Sequence, residues 1–240
     1  MSINMVKLTK REAVADGTMA FYFEKPKDFV YRAGQFGDFT LINPPETDAE
    51  GATRGFSLAS APCEKDLKIA TRMRDTAFKR VLKELPYGTQ LKLDAPYGSF
   101  TLHTNAAIPA VFLTGGIGIT PVRSMLVEAT KEPLSRRILL FYSNHAPEDT
   151  AFLEELRALA AGNPQFTFVA TMTQMGQSHD GWAGETGYVT RDMLERYIDD
   201  LTVPIYYCSG PAALVSAMRK LLTEAGVNED NIRTEEFVGY

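Results

Sequence analysis

The sequence predicts two domains, an antiparallel β-barrel or sandwich followed by an α/β domain with a parallel sheet. The first hundred residues hold short β-branched or alternating runs broken by Gly, Pro and Asp, which is typical of antiparallel all-β structure. Later residues alternate continuous apolar runs with helix-like segments. A polar stretch from His103 to Ala107 separates the two patterns. We therefore expect domains at residues 1–105 and 106–240.

The N-terminal half contains five predicted strands and one helix. The helix runs from Ala77 to Leu85, because apolar residues recur there at helical intervals after a capping residue at Asp75 or Thr76. The strands span Met19–Phe23, Gly37–Ile42, Phe56–Ala59, Leu67–Met73 and Gln90–Asp94.

The C-terminal half contains five predicted strands separated by four helices. Strands that are continuously apolar and alternate with helices indicate a parallel sheet covered on both faces, here a doubly wound one. The strands span Ala110–Leu113, Ile138–Tyr142, Phe166–Thr171, Ile205–Cys208 and Ile232–Phe237. The helices span Pro121–Thr130, Thr150–Ala161, Arg191–Ile198 and Pro211–Ala225.

Composition excludes several classes of protein. A net charge of -5 argues against a nucleic-acid binder, which needs clustered positive charge. No apolar run approaches the roughly twenty residues of a membrane span, and the first residues lack the apolar core of a secretory signal, so we expect a cytoplasmic protein. Two cysteines cannot bind an iron-sulphur cluster of four thiolates, and three scattered histidines indicate no metal site.

A glycine-rich turn follows the first predicted strand of the second half. Thr114-Gly115-Gly116-Ile117-Gly118-Ile119-Thr120-Pro121 leads directly into a predicted helix. Glycines let backbone amides approach a diphosphate, whose charge a helix N-terminus favours. Such a turn also serves as a plain strand-to-helix connection, and the third glycine of the usual dinucleotide fingerprint is missing. By itself the motif leaves both interpretations open.

Two further segments carry side chains suited to a binding site. Tyr207-Cys208-Ser209-Gly210-Pro211 ends the fourth strand of the parallel sheet, at the edge where open α/β sheets bind ligands. Arg54-Gly55-Phe56-Ser57-Leu58-Ala59-Ser60 places an arginine, an aromatic ring and a hydroxyl along one strand of the first half. Taken alone, the second segment also fits an ordinary strand with one exposed arginine.

Together, these three segments resemble the ferredoxin-NADP reductase superfamily. The likeness runs from Gly34-Gln35-Phe36 to the terminal Glu235-Glu236-Phe237-Val238-Gly239-Tyr240, nearly the whole chain. The resemblance implies an N-terminal Greek-key β-barrel that binds FAD and a C-terminal Rossmann-like domain that binds NADH or NADPH. It also implies an oxidoreductase that passes electrons from the dinucleotide through FAD, with FMN in place of FAD left open.

The resemblance assigns residues to the flavin. Arg54 would hold the diphosphate, Phe56 would stack on the ring in place of the family's tyrosine, and Ser57 would bind near its N5. Thr76, Ala77 and Phe78 match a second phosphate loop, with Asp75 pointing away. Phe237 or Tyr240 would cover the other face of the ring.

The resemblance likewise assigns residues to the dinucleotide and to catalysis. Cys208 and Glu235 resemble the pair that approaches the nicotinamide beside Ser57, and these three form the expected catalytic group. The residues expected to contact NAD(P) are Thr114, Gly115, Gly116, Gly118, Thr120, Ser143, His145, Cys208, Gly210 and Pro211.

Nucleotide choice depends on the segment Phe141–Asp149. A site for a 2'-phosphate requires arginines, yet none lies between Phe141 and Arg157. Glu148 and Asp149 instead suit a ribose hydroxyl. The segment favours NADH, with Ser143 and His145 leaving NADPH open.

The electron acceptor is expected to be a one-electron carrier such as ferredoxin or flavodoxin. A positive cluster would dock it, formed by Arg72, Arg74, Lys79, Arg80 and Lys83. A solvated helix face explains these charges equally well. The alternatives are a reductase of free flavin, ferric chelates or quinones, the reductase subunit of an oxygenase, and a non-enzymatic flavin-binding redox sensor. The oligomeric state is left open.

Overall fold

The computed structural model describes residues 2–132, 135–175 and 182–237. Six antiparallel strands form the first sheet, in the order β4-β3-β6-β1-β2-β5. The strands are β1 Ser2–Ala15, β2 Thr18–Glu24, β3 Phe36–Leu41, β4 Thr53–Ser57, β5 Asp66–Arg72 and β6 Gln90–Tyr97. The amides of Ala59 and Ser60, just beyond β4, donate to the carbonyl of Lys68 in β5. The two edge strands thus meet and the sheet curls into a barrel.

The strand β1 was not predicted, although it lies in the middle of the first sheet. It pairs with β6 on one side and β2 on the other. Register shifts between Leu8 and Lys10 and between Ala13 and Ala15 interrupt the alternation of inward and outward side chains. The sequence there consequently lacks the regular period of two by which strands are recognised.

A single helix, α1 (Ala77–Glu84), covers one end of the barrel. Thr76 caps it by accepting a hydrogen bond from the amide of Lys79 at 3.4 Å. Phe78, Val81 and Leu82 are buried among the inward side chains of the barrel. The apolar face predicted from the sequence therefore anchors the helix, and its N-terminus is left at the rim beside β4.

The second sheet has six parallel strands in the order β10-β9-β8-β7-β11-β12. The strands are β7 Ala110–Gly115, β8 Ile138–Asn144, β9 Phe166–Met172, β10 Glu185–Thr186, β11 Ile205–Pro211 and β12 Ile232–Phe237. The helices are α2 Ile119–Ala129, α3 Leu153–Ala161, α4 Arg191–Glu195 and α5 Ala212–Glu224. The predicted Rossmann-like arrangement is confirmed, with one strand more than the five expected, since the two-residue β10 extends the edge.

The two sheets share packed residues. Ala20, Ala70 and Phe100 from the first half belong to the same buried cluster as Ile119 and Val122 of α2. Burial of this continuous apolar surface stabilises their mutual arrangement. The boundary predicted between residues 105 and 106 stays a prediction.

A buried arginine reinforces this contact. Arg123 in α2 is 1% exposed and pairs with Glu64, from the loop before β5, and with Glu155 in α3. Its Nη1 also donates to the carbonyl of Ala59 at 2.7 Å. Because a buried guanidinium must have its donors satisfied, this network holds α2 against the end of β4.

Within the described ranges, no helix has the length and apolar character needed to cross a membrane.

Candidate functional site

A cleft of about 870 Å³ opens between the barrel and the last strand of the parallel sheet. Phe56 and Ser57 of β4 line one side, and Glu235 and Phe237 of β12 line the other. Phe36 and Phe100 add two more aromatic rings, which the sequence did not single out for this site. Aromatic walls with a few polar groups form a surface suited to a planar ring.

Ser57 and Glu235 meet across this cleft. The Oγ of Ser57 lies 3.4 Å from Oε1 of Glu235, although the residues are 178 positions apart. Burial raises the pKa of the Glu235 carboxyl to about 7, and the hydrogen bond from Ser57 only partly opposes this rise. A carboxyl group of this pKa can hold or release a proton near neutral pH.

Cys208 does not join this pair, which corrects the expected catalytic group. Its side chain is fully buried with Val111, Leu113 and Val215, in the cluster that packs the sheet against α4 and α5. Successive strand residues point to opposite faces, so the next residue, Ser209, points the other way. Ser209 Oγ donates to the carbonyl of Gly118 at 2.9 Å. Ser209, not Cys208, therefore contacts the glycine turn.

At the rim of the barrel, Arg54 and the start of α1 converge on one carboxylate. Nη2 of Arg54 donates to Oδ1 of Asp48 at 2.7 Å, and the amide of Ala77 donates to Oδ2 at 3.1 Å. The ring of Phe78 lies below, with the Arg54 guanidinium 5.4 Å from its centre. The two donor groups expected to hold a diphosphate are thus shown to meet at a single anion. Asp75 instead pairs with Arg80.

The two glycine turns of the parallel sheet face each other at contact distance. A Cβ on Gly118 would lie 2.5 Å from Cα of Gly210, and Gly210 itself has φ of +141°. The hydroxyls of Thr114 and Thr120 are buried and donate to the carbonyls of Ser209 and Ile117. These residues were expected to contact the dinucleotide. In the structure Thr114, Gly118, Thr120 and Gly210 shape the turn, and their contact with the dinucleotide stays a prediction.

A second cavity of about 510 Å³ lies beside this turn. Five of the residues predicted to contact the dinucleotide line it, namely Gly115, Gly116, Ser143, His145 and Pro211. Gly116 has φ of +53° and open space where a Cβ would point, so its backbone faces the cavity. Both ends of the buried Asn144 amide lack a hydrogen-bond partner within the described residues, and Asn144 lines the same cavity. Leaving a buried amide unpaired is costly, and a polar ligand in this cavity would offset that cost by hydrogen-bonding to it.

Arg72 and Arg74, at the end of β5, line this cavity from the barrel side. Sequence reasoning looked for arginines only after the second parallel strand, so it missed cations supplied by the other half. Glu148 lies in another groove, with Thr150 and Phe152. Arginines are thus present at this cavity and Glu148 lies outside it, while the preference for NADH stays a prediction.

Among the other expected positions, Tyr240 lies outside the described residues. No group of three or more His, Cys, Asp or Glu side chains within the described part of the chain is placed to bind a metal ion.

The positive cluster predicted to dock a carrier is largely occupied. Arg80 pairs with Glu46 and Asp75, and Lys79 Nζ donates to the carbonyl of Arg72. Since Arg72 and Arg74 line the second cavity, Lys83 is the member left as an exposed cation with no ion pair among the described residues. Two carboxylates thus offset the charge of Arg80, and the docking of a carrier by this cluster stays a prediction.

Comparison with known proteins agrees with this arrangement. The family model of the oxidoreductase NAD-binding domain matches residues 112–220. Ferredoxin--NADP reductase B of Sorangium cellulosum is 29% identical over 221 residues, which cover 88% of this chain and 87% of that protein. The reductase component of propane 2-monooxygenase from Rhodococcus jostii is 30% identical over 219 residues, 89% of this chain. This chain spans only 57% of the length of that relative.

Solved structures share the fold. The FAD/NAD-binding domain of nitric oxide dioxygenase from Vibrio cholerae superimposes with a TM-score of 0.82 at 20% identity, covering 97% of this chain and 98% of that one. The aromatic cleft, the paired glycine turns and these likenesses lead to one conclusion. In sequence and in fold, the chain is similar to members of the ferredoxin-NADP reductase superfamily of FAD- and NAD(P)-binding oxidoreductases, and residues 112–220 match an oxidoreductase NAD-binding domain.

Proposed function

We propose that this protein is a FAD-dependent NAD(P)H oxidoreductase that passes electrons to a one-electron carrier such as a ferredoxin or a flavodoxin. The observation that carries the proposal is the contact of 3.4 Å between Ser57 on the barrel and Glu235 on the parallel sheet. It lies in an aromatic cleft where the two halves meet. A ring held by one half is thereby exposed to a ligand held by the other.

The described residues fit FAD on two grounds. The aromatic cleft accepts a planar ring, with Phe56 and Phe237 as its walls. Arg54 and the Ala77 amide already hold a carboxylate, which stands in for an anionic group of the cofactor. When bound, FAD accepts two electrons as a hydride and releases them singly.

The second cavity fits a nicotinamide dinucleotide. The amides of Gly115 and Gly116 and the start of α2 would hold its diphosphate, with Arg72 and Arg74 supplying positive charge. The unpaired side-chain amide of Asn144 would form hydrogen bonds with the sugar hydroxyls of the nucleotide. The two arginines serve a 2'-phosphate as readily as the diphosphate, so we expect the protein to accept NADPH as well as NADH.

Ser57 and Glu235 position the reacting atoms. The hydroxyl of Ser57 donates to Oε1 of Glu235, and the raised pKa of that carboxyl keeps about half of it protonated near pH 7. Glu235 can therefore hold a proton at its carboxyl oxygen, and the Ser57 hydroxyl can relay it by accepting that proton at Oγ while releasing its own proton to a group bound in the cleft. Phe237, at the end of β12, excludes water from the same cleft.

The proposal is tested by mixing purified protein, reconstituted with FAD, with NADH or NADPH under anaerobic conditions. We expect the flavin absorbance near 450 nm to bleach in a single turnover. The rates of bleaching by NADH and by NADPH show which nucleotide reduces the flavin faster. FAD that binds but is bleached by neither nucleotide would leave a flavin-binding module with no reductase activity.

A second candidate is the reductase component of an oxygenase system. It is favoured by the likeness to the propane 2-monooxygenase reductase component. The 240 residues hold two cysteines, too few for a cluster of four thiolates, so any such cluster in this system would lie outside them. Steady-state assays that compare a ferredoxin, a flavodoxin, ferricyanide and a quinone at equal NAD(P)H separate these acceptors.

A further inference from the structure

The loop before β4 places acidic groups directly on the anion site of the barrel. Asp48 accepts from Nη2 of Arg54 at 2.7 Å with one oxygen and from the Ala77 amide at 3.1 Å with the other. Oε2 of Glu50 lies 3.0 Å from Nε of the same arginine. Two carboxylates of one short loop thus lie against the donors that a diphosphate would use.

Backbone groups of the same loop complete the set of acceptors around Arg54. Its Nη1 lies within hydrogen-bond distance of the carbonyls of Glu50, Gly51 and Thr53. All three guanidinium nitrogens are therefore engaged by residues 48–53. The arginine side chain is only 16% exposed, so little of it is accessible while the loop stays in place.

A diphosphate cannot simply be added to this arrangement. Nη2 of Arg54 and the first amide of α1 are shared by both anions, and two anions at one set of donors repel each other. Asp48 is 31% exposed and belongs to a surface loop, whereas Arg54 lies on a strand of the sheet. The carboxylate is thus the partner free to leave.

We infer that Asp48 is an internal competitor for the flavin diphosphate, and that it must leave Arg54 and Ala77 before the diphosphate can bind. The inference rests on the proposed function and deepens it. Asp48 then lowers the affinity for flavins in proportion to their phosphate charge. It leaves the affinity for riboflavin, which carries no phosphate, unchanged. FAD becomes an exchangeable cofactor, not a permanently held one.

The test measures dissociation constants of FAD and riboflavin for the full chain stripped of flavin, by fluorescence quenching at low salt. For Asp48→Asn we expect FAD to bind at least about tenfold more tightly, because a competing charge is removed from a charge-assisted site. Riboflavin affinity should stay within about twofold. Glu46→Gln is the matched control, since Glu46 lies in the same loop but pairs with Arg80.

Weaker or equal FAD binding by Asp48→Asn, or an equal gain for riboflavin, would overturn the inference, because Asp48 would then orient Arg54 or act only through the fold. Glu50→Gln provides a second variant if Asp48→Asn does not fold. The Glu50 side chain is 73% exposed, and its removal should tighten FAD binding by about twofold to fivefold. No gain there would also contradict the inference. Wild-type protein that binds neither flavin would refute the proposed function itself, whereas FAD binding without these gains refutes only the role of Asp48.

Discussion

The two corners that we propose to bind phosphate groups are built on different principles. In the parallel sheet, the turn at residues 115–118 presents backbone groups, and its shape is set by the close contact between Gly118 and Gly210. In the barrel, the corner is made by the charged side chain of Arg54 and one helix N-terminus, and Asp48 occupies it. A site made of backbone amides carries no net charge and needs no counter-ion. A site made of a cationic side chain attracts a counter-ion, which here is a carboxylate of the same chain.

This difference predicts which substitutions act through shape and which act through charge. We expect the glycine corner to lose its shape, and with it nucleotide binding, when a side chain larger than that of glycine is introduced there. We expect the arginine corner to respond to the removal of charge.

The largest effect is expected for Gly118→Ala. The new Cβ would lie 2.5 Å from the carbonyl oxygen of Ser209 and from Cα of Gly210, both of which are backbone atoms. Forcing the turns apart should cost about 3 kcal/mol of unfolding free energy and remove measurable NAD(P)H binding. Thermal unfolding and nucleotide titration check both effects.

Gly162→Ala is the matched control for that substitution. Gly162 ends α3 at a φ of -84°, and a Cβ there meets nothing closer than 3.5 Å. It should leave both measurements near the wild-type values. If Gly118→Ala behaved like this control, the contact between the turns would not be the feature that shapes the corner.

The second effect concerns charge. Arg54→Ala should lower FAD affinity by about tenfold to a hundredfold, because a charge-assisted hydrogen-bond donor is lost. Flavin content after gel filtration measures it. Arg80→Ala is the control, since Arg80 pairs with Glu46 and Asp75 and not with Asp48. Unchanged flavin content in Arg54→Ala would contradict the role given to Arg54.

The cleft between the corners should show a dependence on pH. The pKa of Glu235 is raised from 4.5 to about 7, so the folded chain favours the protonated carboxyl. The contribution of this proton to the free energy of unfolding is fully present below about pH 4.5, and it is lost as the pH rises through 7. Glutamine mimics the protonated form. Glu235→Gln should match wild type at pH 4.5 and be about 1–2 kcal/mol more stable at pH 8.

Unfolding temperatures measured from pH 4.5 to 8 test this expectation. Glu236→Gln controls for the loss of one charge, because the exposed Glu236 is the neighbouring residue and lines the same cleft. A difference between Glu235→Gln and wild type that stayed constant over this range would show that Glu235 does not titrate there.

The smallest effect is expected for Arg72→Ala, a side chain of the barrel that lines the second cavity, where we propose that the dinucleotide binds. We expect a loss of about threefold to tenfold in NAD(P)H affinity, because Arg72 is one of two cations near the phosphates. FAD affinity should not change. An unaltered dissociation constant for both nucleotides would place the phosphates beyond reach of Arg72.

Predictions from sequence were most accurate where the pattern is local. The helix predicted over Ala77–Leu85 is found at Ala77–Glu84, and the five parallel strands are all present, because burial on both faces leaves continuous apolar runs. The predictions failed where register or distant packing decides. Bulges hid β1, and the choice between Cys208 and Ser209 depended on which face of β11 meets the glycine turn.

The sequence alone determined the class of fold, the order of the two halves and the segments that form the site, because apolar periodicity and glycine placement are properties of neighbouring residues. Only the tertiary structure decided which side chains share a cavity. Arg72 and Gly116, from the two halves, line one cavity, Glu235 contacts Ser57, and Asp48 contacts both Arg54 and Ala77. The physical reason is that these contacts arise from the packing of one sheet against another and from the path of a surface loop, and no local pattern along the chain encodes either.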